Sequence, residues 1–304
     1  MLDIIGKKNW YFLISLLVII PGLISMSLWG LKLSIDFTGG SRLTLLFPQS
    51  VNQQTLDNVK KSFSEEKTEI VTIQQSNNSL IVRTKPINEK QDAKILANHK
   101  TKIPQVKQDE FDTIGPTIGG ETAWNALKAI IFASILIVIF IALAFRTVPR
   151  PTSSWKFGIC AIIALIHDIL VLLGIFSLLG HFFNVEVDSL FVTALLTVIG
   201  FSVHDTIVVF DRIRENLRHT IDMQFSQVVN NSILQTLNRS LNTSLTALLV
   251  LFTLLVFGGS SLHWFIIALL VGIASGTYSS IFNASALLVL WQEIEAKQKK
   301  KSAQ

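Results

Sequence analysis

Two acidic side chains stand where acidic side chains are costly. Asp168 lies in Ala164-Leu165-Ile166-His167-Asp168-Ile169-Leu170, and Asp205 follows Ile199-Gly200-Phe201-Ser202-Val203-His204, both inside long apolar runs. A carboxylate in the middle of a bilayer costs roughly 2.5–3.5 kcal/mol on insertion scales. Each must therefore face protein or water, and loading and releasing a proton is the chemistry it can do there. At about 1.5 Å per helical residue, Asp168 falls near mid-bilayer and Asp205 roughly 7–9 Å inside the charged end of its run. Arg239, in Asn238-Arg239-Ser240-Leu241-Asn242-Thr243-Ser244, is the candidate counter-charge. A guanidinium beside Asp205 would hold the carboxylate ionised until a proton or a conformational change displaced it. His204 points about 100° away from Asp205 on a helix and need not share its partner. A structural reading stands beside this one. An intramembrane Asp with an adjacent His can be a hydrogen-bonded pair between helices, worth about 0.6 kcal/mol, and Arg239 can simply follow the positive-inside rule.

Other chemistries find no support. The chain holds no G-x-x-x-x-G-K-[ST] and no G-x-G-x-x-G, so it has neither a phosphate cradle nor a dinucleotide turn. H-E-x-x-H and C-x-x-C spacings are absent and the six histidines do not cluster, so no metal or other cofactor is expected. A serine hydrolase built from Ser202 with His204, or Ser260 with His263, lacks an oxyanion motif. The single Cys160 excludes an intramolecular disulfide and reads as inert packing.

The elements that carry these residues follow from hydropathy. Half of the 304 residues are hydrophobic, the mean hydropathy is +0.50, and apolar runs of spanning length occur near 10–30, 124–145, 157–180, 189–210, 241–257 and 262–291. The first follows Lys7 and Lys8 like a signal peptide, but no small-x-small cleavage site succeeds it, so it reads as a retained anchor. Lys and Arg fall at Lys7, Lys8, Arg146, Arg150, Lys156, Arg212, Arg214, Arg218 and the Lys297–Lys301 tail, and are missing from 181–188 and 258–263. Both termini are therefore expected in the cytoplasm, as an even number of spans requires. The net charge of +5 reports that topology; no basic stripe interleaved with aromatics suggests nucleic-acid binding.

Residues 31–121 hold 12 of the 26 Lys/Arg and 11 of the 21 Asp/Glu, leaving 14 and 10 for the rest, which marks one water-soluble segment. The expected organisation is an N-terminus and first span over 1–30, an exported domain over 31–121, five further spans over 122–292 and a basic tail over 293–304. Within the exported domain, strands are expected at Ser41–Phe47, Glu69–Gln75, Ser79–Thr84 and near Gln105–Asp109. Ser50 and Gln53, at capping-box spacing, precede a helix to about Ser64, and a second helix covers about Asn88–His99. Ser76-Asn77-Asn78 supplies a hairpin turn. This β-α-β-β-α-β order is the ferredoxin-like arrangement. Gly39-Gly40, after Asp36-Phe37-Thr38, reads as a turn at the entry to the domain, and Gly272-Ile273-Ala274-Ser275-Gly276 as a close helix interface.

At this point the motifs resemble a known family. Asp36-Phe37-Thr38-Gly39-Gly40, then Phe111-Asp112-Thr113-Ile114-Gly115-Pro116, then Ala194 to Ser202 running on to Asp205-Thr206-Ile207-Val208-Val209-Phe210-Asp211-Arg212-Ile213-Arg214-Glu215-Asn216, are similar to the SecF proteins. The resemblance implies a six-span membrane fold of the resistance-nodulation-division type in a bacterial inner membrane. It implies SecD as the partner, supplying the other half of a pseudo-symmetric site, and action with the SecYEG channel, with YajC as a further associate. It implies use of the proton-motive force, with sodium as an alternative ion, to help pull unfolded exported polypeptides through that channel. On this resemblance Asp205 is the proton-responsive carboxylate, Arg239 its basic partner, and Asp168 and His204 further candidates. Asp36, Phe37, Thr38, Gly39 and Gly40 set the hinge of the exported domain. Asp211, Arg212, Arg214 and Glu215 form a cytoplasmic helical continuation. His204 stands where Asn is common in the family and Ser34 where Gly often is; Ser34 would stiffen the hinge. The rival readings are a small-molecule or lipid transporter of the same superfamily and a purely structural translocon subunit.

Overall fold

A computed structural model describes residues 2–76, 78–102, 106–149, 152–219 and 223–302. Asn77 of the expected turn, Gln105 of the last expected strand, Arg150 and the final two residues of the tail lie outside them. The chain divides into two compact units: Met1–Leu31 with Ala129–Val185 and Leu190–Gln304, and Lys32–Lys128 with Glu186–Ser189.

The first unit carries the apolar helices. These are α1 (Lys8–Trp29), the later part of α5 (Pro116–Ala144), α6 (Ser154–Phe183), α7 (Ser189–His219), α8 (Phe225–Phe257), α9 (His263–Tyr278) and α10 (Ser285–Ser302). A π-helical stretch, Ser279–Ala284, joins α9 to α10. With that junction counted as one helix, six helices among the described residues are long and apolar enough to cross a membrane. α7 continues past the expected end at 210, and α8 begins at Phe225, well before 241. The polar extensions stay helical because Ile213 and Leu217 on α7 and Val228, Val229 and Ile233 on α8 bury one apolar stripe.

Small residues let the helices approach. A Cβ on Gly22 of α1 would stand 2.8 Å from the Cα of Gly174 on α6, so the two backbones touch there. Ser25 and Ser177 hydrogen-bond at 2.7 Å beside them. In the same way Gly272 and Gly276 of α9 receive Val198 and Ser202 of α7. The Lys/Arg-bearing helix ends are tied together. Lys8 pairs with Glu293 at 2.5 Å, Lys156 with Glu295, and Arg214 donates to the carbonyl of Ala144 at 3.1 Å.

The second unit is a four-stranded sheet with two helices in the order β1 (Gly40–Leu46), α3 (Gln53–Glu65), β2 (Ile70–Ser76), β3 (Ser79–Thr84), α4 (Glu89–Lys102), β4 (Lys107–Ile114). A one-turn helix α2 (Ile35–Thr38) precedes it. The sheet order is β2-β3-β1-β4, with antiparallel neighbours throughout. Alternation puts Leu43 and Leu45 of β1 and Leu80 and Val82 of β3 on one face, where they bury Val59 and Phe63 of α3 and Ile95 of α4. Two expectations need correction. The cap of α3 is Asn52, whose side chain accepts from the Thr55 amide at 2.8 Å, because Asn52 is the extended residue next to the first turn. The last strand runs to Ile114, since it pairs with β1 along its length as far as Gly40.

Candidate functional site

Asp168 is fully buried on α6, and four side chains meet its carboxylate. Ser202 of α7 donates to Oδ2 at 2.5 Å, Ser279 of the π-helical stretch to Oδ2 at 2.6 Å, and Ser275 of α9 to Oδ1 at 3.0 Å. The Nδ1 of His167 lies 3.0 Å from Oδ1. The other ring nitrogen of His167 reaches Ser15 Oγ at 3.0 Å, and the Asn283 amide donates to that same oxygen at 2.6 Å. Hydrogen bonds from hydroxyls are what a carboxylate needs where water is excluded. The π-helical turn makes this convergence possible. One extra residue per turn re-aims Ser279 and Asn283 relative to Ser275, as such turns do at functional positions.

Asp205, 2% exposed, has a sparser setting. Ser244 of α8 donates to Oδ2 at 3.3 Å, and the Thr277 hydroxyl stands 3.5 Å from it and 2.6 Å from the Ser244 oxygen. Among the described residues the two carboxylates thus have no common partner but meet side chains from the same helix end. Ser275, Thr277 and Ser279, at alternate positions around the end of α9, serve Asp168, Asp205 and Asp168 in turn. Ser202 and Thr206 of α7 extend the link, Thr206 meeting Ser280 at 2.8 Å.

The structure does not bring together every expected partner. Among the described residues no ion pair joins Asp205 to Arg239, whose side chain is exposed. The buried stripe of α8 runs through Ser232, Thr236, Ser240 and Ser244. Arg239 precedes Ser244 by five residues, about 140° round the helix from the face that meets Asp205. His204 is likewise exposed, while Ser202 bonds Asp168, so these two do not form a hydrolytic pair. The role of Ser202, Ser244, Ser275, Thr277 and Ser279 as partners of the two carboxylates was not legible in the sequence, since serine and threonine also satisfy themselves on backbone carbonyls within helices.

The Asp36–Gly40 motif lies in the sheet-bearing unit and its geometry explains its residues. Ser34 caps α2, its hydroxyl accepting from the Asp36 amide at 3.1 Å. Phe37 is buried. Asp36 Oδ2 accepts from the Ser189 amide at 2.9 Å, and the Thr38 hydroxyl accepts from Arg83 at 3.1 Å. Gly39 and Gly40 have φ of +71° and +130°, which favour glycine. A Cβ on Gly39 would meet the Pro116 Cα at 2.6 Å. Glu186 in this unit is half-buried and pairs with Arg83 at 2.8 Å; burial pushes its carboxyl above the usual range, and Arg83 offsets this only in part.

The Asp211–Asn216 stretch is a continuation of α7. Arg212 donates to Glu215 at 2.6 Å and to Gln235 at 2.6 Å, and Arg214 pairs with Asp211. Ile213 is buried between them in sequence. The arrangement knits α7 to α8 and to the end of α5 and contacts neither buried carboxylate.

Comparisons with known proteins agree with these motifs. Residues 94–294 match the family model described as Protein export membrane protein SecD/SecF, C-terminal, and residues 30–51 match the SecD/SecF GG Motif. The chain is 45% identical to protein translocase subunit SecF of Thermobaculum terrenum, over 96% of this chain and 94% of that one. It is 44% identical to SecF of Anaerolinea thermophila, over 97% and 96%. The crystal structure of SecDF from Thermus thermophilus superposes with a TM-score of 0.83 at 34% identity, over 96% of this chain. There it covers only 39% of the longer SecDF chain. With motif, six apolar helices and near full-length identity in accord, the chain belongs to the SecF family of protein-export membrane proteins.

Proposed function

We propose that this chain is the SecF half of a SecD–SecF complex that uses the proton-motive force to promote late steps of protein export through SecYEG. In this reading the protein lies in the bacterial inner membrane with both termini cytoplasmic. The sheet-bearing unit is a ferredoxin-like domain on the outer side, the helical unit is half of a resistance-nodulation-division fold, and YajC is an associate. SecDF relatives that carry both halves in one chain support SecD as the partner. The observation that carries the ion-coupling role is the pair of buried carboxylates joined through one helix end. A proton on Asp205 weakens its claim on Ser244 and Thr277, which frees α9 to shift, and α9 also holds Asp168. Arg239, directed away from Asp205 on an exposed face, is offered to SecD across the interface, where a fixed cation would complete the site. Protons are the ion; a hydroxyl-lined carboxylate also suits sodium.

Asp205→Asn is expected to abolish proton-motive-force stimulation of export while the variant still assembles with SecD. Arg239→Ala should do the same without changing the fold of this chain. Stimulated export at the level of the unaltered protein in Asp205→Asn would overturn the coupling role and leave a structural subunit.

A further inference from the structure

We propose that Arg83 and Glu186 form a clamp through which the short segment joining α6 to α7 pulls on the β sheet, making them positioning residues for the transport step. The inference rests on the reading above, that ionisation of carboxylates on those two helices does work on the exported domain.

The segment between the helices is five residues long, Asn184 to Asp188, too short to absorb much movement as slack. Asn184 ends α6 in a left-handed conformation, φ +58°, and so redirects the chain at once. Val185 still belongs to the helical unit, and Glu186–Ser189 belong to the sheet-bearing unit. Val187 pairs with the segment Lys32–Ser34 that leads into the motif: its amide donates to the Lys32 carbonyl at 2.7 Å, and its carbonyl accepts from the Ser34 amide at 2.9 Å. Leu33 and Val187 are parallel bridge partners. Asp36 then accepts from the Ser189 amide, so the first residue of α7 is held by the motif itself.

Arg83 gathers these contacts into the sheet. It sits in β3, an inner strand paired to both β1 and β2, and is 7% exposed. Its Nη1 donates to Glu186 Oε1 at 2.8 Å and to the Leu33 carbonyl at 3.1 Å, and Nη2 donates to Thr38 Oγ1. Gln74 of β2 donates to the same Glu186 oxygen at 3.3 Å. One guanidinium thus holds the α6–α7 segment, the Leu33 carbonyl ahead of the motif and the Asp36–Gly40 motif itself, using the fan of donors that a lysine lacks. A buried ion pair is a weak source of stability and a strong source of fixed geometry. That is the property a mechanical link requires.

The test uses the full chain with SecD. Arg83→Ala and Glu186→Ala are each expected to lower the proton-motive-force-stimulated increment of export about fivefold or more, with SecD association retained. In the Glu186→Ala background, Leu33→Cys with Val187→Cys, also carrying Cys160→Ala, should close a disulfide between bridged positions and restore the increment, which reduction then removes. A mere loss of folding would show as lost SecD association in the alanine variants, which the clamp leaves intact. Undiminished stimulation in both alanine variants overturns the clamp, as does a closed cross-link that restores nothing. Failure of the cross-link to close refutes the bridge and the clamp with it. If Asp205→Asn is inactive while the alanine variants are normal, only the clamp falls; if Asp205→Asn is itself normal, the coupling reading falls first.

Discussion

At Asp168 four side chains converge on one buried carboxylate, and that is a sharper arrangement than the apolar run around it discloses. Removing the carboxylate strands the hydroxyls of Ser202 and Ser275, while Ser279 keeps the Gly276 carbonyl at 3.2 Å. Asp168→Ala should therefore destabilise the helical unit by about 1–3 kcal/mol, the cost of leaving buried donors unmatched, and Asp168→Asn by less; thermal unfolding of the purified complex in detergent reads the difference. Asp92 of α4 makes a contrasting case outside the membrane. Its carboxyl is buried, with only Gln108 donating to it at 2.9 Å, and burial raises it above the ordinary 3.8. A raised value in the folded state means that the folded chain binds the proton more tightly than the unfolded chain. Stability from this group is thus greatest below 3.8 and falls as pH rises through the raised value. Asp92→Asn should flatten that fall and protect the sheet-bearing unit at neutral pH, as protease sensitivity of the full-length protein from acid to neutral pH would reveal. Residue types alone disclosed the acids, because a charge in an apolar run is conspicuous. They did not disclose which hydroxyls serve them.

Among the elements, the contact of α1 with α6 depends on two glycines. Gly174→Ala would set a Cβ 2.7 Å from the Gly22 Cα. Backbone cannot yield as a flexible side chain can, so the helices must separate, at about 1–3 kcal/mol. Loss of thermal stability, with recovery in no single-site variant of Gly22 larger than glycine, is the expected result. Strand alternation and helix periodicity made β1, α3, β2, β3 and α4 legible within a few residues. Ends were less so. The polar extensions of α7 and α8 carry too few apolar residues for a hydropathy window, yet enough, at helical spacing, to bury a stripe. The Asp36–Gly40 motif read as a turn, which it is, but Gly39 also makes room for Pro116, from a helix start some eighty residues further along the chain, and Gly40 for the Thr84 carbonyl.

For the whole molecule, hydropathy and Lys/Arg placement determined the six apolar helices and one polar insertion, because burial in hydrocarbon and in water are opposite demands that each residue registers independently. The family was legible too, since its motifs are contiguous. Tertiary structure decided what depends on rotation and on distant partners. It set Arg239 on an exposed face of α8 away from Asp205, and it joined both carboxylates through Ser275, Thr277 and Ser279 by way of a π-helical turn. It also brought Glu186 from the α6–α7 segment to Arg83 in β3. Those two residues are 103 positions apart, and charge complementarity at that separation has no periodic trace in a chain; only the folded backbone selects which acid meets which base.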